Sequence, residues 1–542
     1  MPDYETTSGG ALCANGGPIA NFVPQVIGIY RDIDAVAGDT GPPQAVEVMF
    51  TLKGRFVEHS VIIPYQELSK FDFEVEFPGC ICSNINGRST KNQVLRYIRV
   101  QLEGISDNAM EGLYFSTPGW HFLGSGLKCI NGRQIIGGKT DKPFWVNPAI
   151  SDIRLAADPR EFTPDDVEKL VCAFHCAPDV MLPVWAFTVY ASLRSVLHRE
   201  GLPTACVLYL DGKQGVGKSE TAKKLCALYD GAANSLAHIY DARSTEAAMR
   251  NALADARDRV IILDDICNST NPRERRRRLD LAATLVRDAT NGVPITRMNG
   301  KTAESVECAA SLVITGEFPL EVPSDITRCV TVTIDRQLTG GNDADRTTAA
   351  STLAGFLQWF AEHSEQELEC LRTEYHSFKT KERSHREERL QISLWELSWA
   401  FSSFLRFAVS VEAISQQAAE QMDASLTVTL GRTFNTTLAK LDKLMARSFD
   451  NLAVLIHAGA RSGGLRCFKH NGCLCVGTQV LTAYLRQVSD DPTLSINEVT
   501  AQLRRKGLLL MDETGKSTRK VNGIRVLTIP IKKLIDQGGN QK

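Results

Sequence analysis

The sequence predicts a multidomain α/β protein organised around a parallel β-sheet. An apolar stretch at 206–210 leads directly into a glycine-rich loop and then into residues with helical spacing. A second apolar stretch, at 260–263, ends in the acidic pair Asp264 and Asp265. Between 204 and 336, strand-like and helix-like patterns alternate, which is typical of a parallel sheet with crossover helices.

The composition is that of an ordinary globular protein in several domains. The chain has 542 residues, of which 43% are hydrophobic and 23% charged, with a formal net charge of −2. The near-neutral charge gives no global sign of nucleic-acid binding, although a local basic surface is compatible with it. The N-terminus lacks signal-peptide features, and the longest apolar stretch, 181–193, is too short to span a bilayer. We therefore expect a cytoplasmic protein without a membrane partner.

The domain boundaries are predicted from shifts in pattern along the chain. Residues 1–20 are rich in Gly, Ser and Thr, which favours a disordered tail. In the last segment, helices precede a terminal pair of strands, and the chain from Leu503 onward is basic, which is typical of a winged helix. The predicted domains after the tail are a β-rich N-terminal domain (21–150), a helical connector (151–203), a nucleotide-binding parallel-sheet core (204–340), a helical region (341–425) and a C-terminal winged-helix-like domain (426–542).

The glycine-rich loop fits the phosphate-binding pattern G-x-x-x-x-G-K-[ST]. Such a loop directs its backbone N–H groups at phosphate oxygens, and the helix N-terminus that follows adds partial positive charge. We expect Lys218 to reach the β- and γ-phosphates and the Ser219 hydroxyl to ligate Mg²⁺. The predicted nucleotide-binding residues are Gly212, Gly215, Gly217, Lys218, Ser219 and Glu220.

The acidic pair should lie at the carboxyl edge of the sheet, where ligands bind in open α/β sheets. We expect Asp264 to hold the Mg²⁺ shell and Asp265 to polarise the attacking water. A further buried strand, 310–316, carries the polar residue Thr315 near its end, and Arg328 stands directly before the last strand of the domain.

Between the acidic strand and the strand of Thr315 the sequence predicts a β-hairpin. The pair Asn299-Gly300 separates two extended runs, which is a strong turn signal. Lys301 follows the turn and Arg297 precedes it. Both residues are candidates for DNA contact; the alternative is that they belong to an ordinary solvent-exposed turn. The arginine run 275–278 has two interpretations as well. It forms a solvated helix face, or it contacts nucleic acid or a neighbouring subunit.

A cluster of cysteines and a histidine raises the question of a metal site. Cys467, His470, Cys473 and Cys475 have the spacing C-x₂-H-x₂-C-x-C, which is irregular for zinc fingers, and all four lie on one predicted hairpin. We expect a plain hairpin without stoichiometric zinc.

Taken in chain order, these elements resemble an AAA+ ATPase with a hairpin inserted before its sensor strand, as in MCM-like and viral superfamily-three helicases. The chain is more similar still to helicase-like proteins of bacterial integrative elements and staphylococcal cassette chromosomes. The resemblance spans nearly the whole chain and is carried by Gly119-Trp-His, Asn131–Gly137, the phosphate-binding loop, Ile262–Asp265, Ile314–Glu317, Ser324–Arg328 and Thr518–Leu527.

The resemblance implies a ring of subunits, a hexamer in such proteins, with ATP bound between neighbours. It implies that Arg328 is an arginine finger for the neighbour's γ-phosphate and that Thr315 is the sensor that helps orient the water. It also implies that the hairpin with Arg297 and Lys301 projects into the channel and contacts single-stranded DNA.

The chain departs from the family pattern at two positions, and the position of the second sensor is not fixed by the resemblance. Most relatives have Glu at the position of Asp265, so the assignment of this shorter side chain as general base is in question. Many relatives have Asn at the position of Thr315. Arg346 is a candidate for a second sensor.

Three functions are consistent with these residues. The first is an ATP-dependent, ring-forming DNA helicase that supports replication of a mobile genetic element. The second is an AAA+ NTPase that remodels proteins or acts as a defence switch without unwinding. The third is an ATP-binding DNA replication initiator whose nucleotide site is structural, which the presence of Lys218, Asp264 and Arg328 disfavours. The basic C-terminal segment and Lys301 favour the first over the second.

Overall fold

The protein is described by a computed structural model. The structure describes residues 2–33, 38–52, 55–85, 88–104, 110–124, 126–232, 235–266, 272–291, 295–299, 302–306, 308–317, 320, 322–338, 344–380, 385–447, 452–488, 494–512 and 515–539. The chain divides into a larger unit, Met1–Pro319 with Thr327–Gly431, and a smaller unit, Leu320–Ile326 with Arg432–Lys542.

The first twenty residues form a sheet, so the prediction of a disordered tail is wrong. Three short antiparallel strands, β1 (Tyr4–Thr6), β2 (Leu12–Ala14) and β3 (Gly17–Ala20), pair in sequence order. Leu12 and Ile19 are buried in one core with Phe22 of the following strand. The Gly- and Thr-rich composition concealed these few apolar side chains, which are enough to anchor the segment.

Strands dominate the rest of the region predicted to be β-rich. A five-stranded sheet with the order β13-β9-β4-β5-β6 forms its centre, and β10, β11 and β12 form a separate antiparallel sheet. Helix α2 packs Val94, Leu95 and Ile98 into the same core as Phe22. The elements are β4 (Phe22–Ile33), β5 (Thr40–Leu52), β6 (Arg55–Pro64), α1 (Phe73–Glu76), β7 (Asn84–Ile85), β8 (Arg88–Ser89), α2 (Lys91–Glu103), β9 (Met110–Phe115), β10 (Gly119–Leu123), β11 (Gly126–Asn131), β12 (Gln134–Ile136) and β13 (Phe144–Val146).

Helices connect this region to the core sheet. They are preceded by α3 (Pro148–Ser151), β14 (Arg154–Leu155) and a 3-10 turn (Pro159–Glu161), and they comprise α4 (Pro164–Phe174), α5 (Pro178–Ser192) and α6 (Arg194–Arg199). Thr163 is the N-cap of α4 and forms a capping box with Asp166. Helix α5 is apolar on all sides and fully buried from Val180 to Ser192, which places it in the interior of the unit.

A parallel five-stranded sheet forms the core, as the alternating pattern predicted. The elements of this part of the chain, in order, are β15 (Val207–Gly212), α7 (Lys218–Leu225), β16 (Tyr229–Asp230), β17 (Ile239–Asp241), α8 (Glu246–Asp255), β18 (Val260–Ile266), α9 (Pro272–Thr290), β19 (Ile295–Asn299), β20 (Thr302–Val306), β21 (Ser311–Gly316), α10 (Pro323–Ile326) and β22 (Cys329–Ile334). Strand β16 and the pair β19–β20 lie outside the five-stranded sheet, and α10 belongs to the smaller unit. The strand order is β17-β18-β21-β15-β22, and all four pairings are parallel. Strand β21, which carries Thr315, therefore lies between the strand of the glycine-rich loop and the strand of the acidic pair.

The predicted hairpin is present as strands β19 and β20. They pair antiparallel, from Ile295 opposite Val306 to Asn299 opposite Thr302. Lys301 lies outside the described residues, and of Arg297 only the backbone position in β19 is described.

Long helices follow the core sheet. They are α11 (Arg346–Glu362), α12 (Ser364–Lys379), α13 (His385–Ser410) and α14 (Gln416–Arg447), the last of which continues across the boundary predicted at 425. At Gly355 of α11 a Cβ atom would lie 2.6 Å from the ring of Phe162, so only glycine allows this close packing. Within the described parts of the chain, no helix is long and apolar enough to cross a membrane.

The smaller unit has a core of its own, which includes the buried side chains of Ile456, Leu481, Val499 and Leu527. Its elements are α15 (Leu452–Ser462), β23 (Phe468–His470), β24 (Cys473–Val476), α16 (Thr478–Val488), α17 (Ile496–Arg505), β25 (Thr518–Val521), β26 (Ile524–Pro530) and α18 (Ile531–Gly539). A four-stranded antiparallel sheet has the order β23-β24-β26-β25.

The hairpin of the cysteine cluster has the geometry of a structural turn. His470 pairs with Cys473 across Asn471 and Gly472, which both have positive φ (47° and 72°). Cys473 and Cys475 are buried. Burial raises the pKa of the Cys467 and Cys475 thiols.

We predict that the purified protein contains no stoichiometric zinc. Elemental analysis of protein prepared without chelators measures this directly. One zinc per chain, absent after replacement of Cys473 by serine, would contradict the assignment of this segment as a plain hairpin.

Candidate nucleotide-binding site

The glycine-rich loop connects β15 to α7 in the conformation that its glycines permit. Gly215 and Gly217 have φ of +80° and +98°, a region that residues with a side chain rarely adopt. A Cβ on either of them would meet nothing within 4 Å, so this face of the loop is open to a ligand. Gly212 is constrained instead by packing, because its Cβ would lie 2.3 Å from the Ile334 carbonyl oxygen of β22.

Lys218 is the first residue of α7, and its side chain folds back over the loop. Its Nζ donates hydrogen bonds to the carbonyl oxygens of Gly212 and Lys213, both at 2.7 Å. An ammonium has three N–H donors, so two bonds hold the group in place while the third can serve a phosphate. Glu220, also predicted in the site, lies on the first turn of α7 with its side chain exposed.

Asp264 joins three elements of the site. Its Oδ1 accepts hydrogen bonds from the Ser219 Oγ of α7 and from the Thr315 Oγ1 of β21, each at 2.6 Å. The strand order makes this possible, because β21 lies between β15 and β18 and its carboxyl end meets theirs at one edge. The structure thus brings together Lys218, Ser219, Asp264 and Thr315, which the sequence distributed over almost a hundred positions.

These residues fit a nucleoside triphosphate with Mg²⁺. Hydroxyl and carboxylate oxygens are the ligands that Mg²⁺ prefers, and Ser219 and Asp264 offer them side by side. The open face of the loop and the ammonium of Lys218 suit phosphate oxygens. Among the described residues no cluster of three His, Cys, Asp or Glu side chains forms a metal site of another kind.

Asp265 has a strained backbone. Its φ is +64°, and the register of β18 against β21 shifts between Leu263 and Ile266, as in a β-bulge. Bulges beside active sites re-aim side chains, and left-handed residues with a Cβ persist where the surroundings hold them. Here the Asp265 N–H donates to Thr315 Oγ1 at 3.0 Å, and the carboxylate is exposed rather than bonded within the cluster.

Thr315 therefore links both carboxylate residues through one hydroxyl, which accepts from the Asp265 backbone and donates to Asp264. Replacing this fully buried threonine by valine removes the hydroxyl at nearly constant volume. The variant also loses the hydrogen bond from Thr315 Oγ1 to the Asp264 carboxylate, and a bond to a charged group is worth about 1.5–3 kcal/mol, so we expect ATP turnover to fall by roughly 10- to 100-fold in Thr315→Val. Steady-state ATPase assays measure this, with Thr315→Ser as the control that keeps the hydroxyl; equal turnover of the two variants would contradict the role.

Arg328 lies at the opposite edge of the sheet from the loop. It precedes β22, and its carbonyl oxygen accepts from Val207 N at the beginning of β15. The six residues of β22 separate it from the loop edge, a distance of about 20 Å at ~3.3 Å per residue. Its Nη2 donates to Asn291 Oδ1 at 3.0 Å. Arg328 is therefore too far away to contact a phosphate bound in the loop of its own chain.

Arg346 is also remote from the loop of its own chain, and it joins α11 to the segment that follows α7. Its Nε donates to the Ala227 carbonyl oxygen at 2.5 Å, and its Nη2 forms an ion pair with Asp230. Both partners follow the carboxyl end of α7, whose eight residues extend for about 12 Å from Lys218. The sequence offered no sign of this ion pair.

The Gly119-Trp-His motif serves packing against the core. Trp120 N donates to Asp258 Oδ2 at 2.9 Å, and Trp120 Nε1 donates to the Ser192 carbonyl oxygen at 2.7 Å. A Cβ on Gly119 would lie 2.3 Å from Asp258 Oδ2, so this approach requires glycine. His121 is fully buried and bonds through Nε2 to the Thr117 carbonyl oxygen at 3.0 Å. The motif thus fixes the β10–β12 sheet to the strand of the acidic pair.

Comparison with solved structures supports the predicted resemblance at the level of the fold. The active helicase Cch of the SCCmec type IV element is 14% identical, with 99% of each chain covered and a TM-score of 0.56. The C-terminal region of NrS-1 in its apo form (10% identity, 92% and 95% covered, TM-score 0.31) and the JCV helicase (14% identity, 49% and 66% covered, TM-score 0.24) are much weaker matches. No protein-family model matches the chain, and no curated protein sequence is similar to it.

Proposed function

We propose that the chain is an ATP-dependent, ring-forming DNA helicase that translocates on single-stranded DNA and serves replication of a mobile genetic element. The observation that carries this proposal is the convergence of Ser219 and Thr315 on one oxygen of Asp264, next to the lysine of a phosphate-binding loop. The whole-length likeness in fold to the SCCmec helicase supports the same class of activity.

Each residue of the site has one task in this proposal. Bound Mg²⁺·ATP supplies the phosphoanhydride bond whose hydrolysis drives the motion. Lys218 neutralises charge that develops on the β- and γ-phosphates, and Ser219 with Asp264 holds the metal shell. The exposed carboxylate of Asp265 accepts a proton from the attacking water, while Thr315 fixes the position of Asp265 through its backbone N–H.

A second subunit completes the site. Because Arg328 lies at the edge of the sheet opposite the loop, its guanidinium serves the nucleotide of a neighbour in the ring. A ring of six is what the family resemblance implies. At each interface of the proposed ring, the glycine-rich loop of one subunit therefore faces Arg328 of the next.

The hairpin of β19 and β20 supplies the DNA contact. We propose that Lys301, between two paired strand ends, binds the backbone of single-stranded DNA in the channel. Lysine suits a moving contact, since it is a point charge without the fork geometry of arginine.

We expect Lys301→Ala to weaken single-stranded DNA binding for all sequences and to reduce unwinding. The log–log salt slope should become shallower by ~0.7 for each phosphate that the variant no longer binds, and ATPase activity without DNA should persist. Titrations at several salt concentrations measure the slope, and Lys213→Ala, in the glycine-rich loop, is a lysine control outside the hairpin. Unchanged unwinding by a folded Lys301→Ala protein would contradict the channel assignment.

The smaller unit is proposed to be a winged helix. Its order of helix α15, strand β24, helices α16 and α17, and strands β25 and β26 supports this, as does the sheet order in which β26 lies between β24 and β25. Exposed basic residues lie on α17 and on the last hairpin, where Lys520 stands directly opposite Arg525. Like charges at paired positions repel, so a bound polyanion would stabilise this hairpin.

One set of assays decides among the candidate functions. ATPase activity is measured with and without single-stranded DNA, alongside displacement of a labelled strand from a forked duplex. DNA-stimulated hydrolysis with strand displacement supports the helicase. Hydrolysis without displacement favours a remodelling NTPase, and DNA binding without hydrolysis favours an initiator.

A further inference from the structure

A cavity at the arginine edge of the core sheet has no role in the site described above. It encloses about 80 Å³. We call it the arginine pocket; its charged and polar lining includes Arg194, Arg199, Arg257, His198, Thr290 and Cys308. We propose that the arginine pocket binds a phosphate group. The proposal deepens the proposed function, since it assigns a second phosphate site to the same machine.

The guanidinium of Arg257 lacks the hydrogen bonds that a buried group needs. Its side chain is 13% exposed, and its Nε and Nη2 are buried without a hydrogen-bond partner among the described residues. The adjacent carboxylate, Asp258, lies 3.6 Å from Nε, beyond hydrogen-bond distance. Asp258 is already engaged by Trp120 N at 2.9 Å, Ser195 N at 2.7 Å and Ser195 Oγ at 2.6 Å. Arg257 therefore retains donors for an anion.

Two further arginines add donors and charge. Arg194 donates through Nη2 to the Ala289 carbonyl oxygen at 2.8 Å, whereas Nη1 contacts only a weak acceptor, the Cys308 sulfur, at 3.8 Å. Arg199 lies at the exposed rim, with its guanidinium 3.5 Å from the centre of the Phe122 ring. Three guanidinium groups line the pocket, whereas none of its lining residues is acidic, so its immediate wall carries positive charge.

The size and walls of the pocket suit a phosphate. A cavity of about 80 Å³ is several times the ~10–15 Å³ that one enclosed water molecule needs, so it has room for one phosphate group. Pro203, Ala289 and Ala309 form an apolar wall, where charge-assisted hydrogen bonds are stronger than in water. Guanidinium and phosphate match in geometry as bidentate partners.

The position of the pocket gives two sources for such a phosphate. Thr290 and Cys308 stand on either side of the β19–β20 hairpin in sequence, so a DNA backbone guided by the hairpin passes near the pocket. Arg257 precedes β18 and Ala309 precedes β21, at the same edge as Arg328, so the nucleotide of a neighbouring subunit is the other source. Both present the same phosphate chemistry.

The first test uses inorganic phosphate as the probe and the full-length protein. Thermal unfolding is followed during a phosphate titration of the wild type and of Arg257→Met. Phosphate binding at the glycine-rich loop stabilises both proteins equally, so the difference between their melting-temperature shifts measures binding in the arginine pocket. Charge-assisted hydrogen bonds are worth about 1.5–3 kcal/mol, so we expect the pocket's apparent affinity to fall by at least ~10-fold. Arg160→Met, which removes an exposed arginine paired with Asp158 outside the pocket, should titrate like the wild type.

The second test identifies the source of the phosphate. A weaker single-stranded DNA affinity with a shallower salt slope, at unchanged DNA-free ATPase activity, assigns the pocket to DNA. A loss of DNA-free ATPase activity assigns it to the neighbour's nucleotide. Both measurements are repeated with the rim variant Arg199→Gln, which replaces Arg257→Met if that variant does not fold.

Equal phosphate stabilisation of wild type and pocket variants, with DNA binding and ATPase activity unchanged, would overturn the proposal. The phosphate titration requires no enzymatic activity. It therefore gives a result even where the wild type neither hydrolyses ATP nor unwinds DNA, which separates failure of this inference from failure of the proposed function.

Discussion

Replacing Lys218 by alanine should abolish ATP hydrolysis, with a loss of ~10²-fold or more in turnover. The ammonium is the cation closest to the phosphates in the proposed site, and without it the charge that develops in the transition state is unmatched. The structure adds a second cause. The two hydrogen bonds from Nζ to the carbonyl oxygens of Gly212 and Lys213 tie the loop to the beginning of α7, and both disappear with the side chain.

The matched control is Lys213→Ala in the same loop. Lys213 contributes its carbonyl oxygen to the loop, and its side chain is exposed. The control should keep most of its ATPase activity, while Lys218→Ala loses it with little change in the melting temperature. Near-normal turnover of Lys218→Ala would mean that the nucleotide is hydrolysed elsewhere in the protein.

Replacing Arg328 by alanine should lower ATP turnover by roughly 10³–10⁵-fold, the range typical of arginine fingers. ATP binding should persist, because Arg328 is about 20 Å from its own loop at ~3.3 Å per strand residue. Nucleotide affinity measured with a fluorescent ATP analogue, beside ATPase rates, separates the two effects. Arg336→Ala is a suitable control, since Arg336 follows the other end of β22 and pairs with Asp179 at 2.8 Å.

Mixing the two inactive variants tests whether the site is shared. When Arg328→Ala subunits exchange with Lys218→Ala subunits, some interfaces combine an intact loop with an intact arginine, and activity should partly return. A mixture of Arg328→Ala with itself at the same total concentration gives the baseline. No recovery, under conditions in which subunit exchange is shown with labelled chains, would be evidence against a shared site.

The sequence was sufficient for the parts of the site that are local in the chain. The glycine-rich loop, the acidic pair and the hairpin each depend on neighbouring residues, and the structure contains all three where they were predicted. The contact of Thr315 with Asp264 could be anticipated only in outline. It depends on β21 lying between β15 and β18, and strand order is a long-range property that residue patterns do not encode directly.

The errors and omissions arose from long-range contacts. The composition of residues 1–20, rich in Gly, Ser and Thr, predicts disorder. Leu12 and Ile19 are nevertheless buried, because the residues that they pack against lie later in the chain. The ion pair of Arg346 with Asp230 joins residues more than a hundred positions apart, so the sequence pattern gives no sign of it. The arginine pocket joins residues from 194 to 309, and no single stretch of sequence marks it.

In the proposed helicase, strand β21 connects the nucleotide site directly to the β19–β20 hairpin. Its residue Thr315 contacts both carboxylate residues at one edge of the sheet, and its beginning at Ser311 lies only a few residues after the hairpin strand that ends at Val306. A strand that is hydrogen-bonded on both sides resists bending and stretching. A shift of Thr315 on hydrolysis therefore moves the beginning of β21, at Ser311, by a similar distance. In the proposed helicase, force therefore reaches the hairpin along one short covalent segment of the chain, from β21 back to the end of β20.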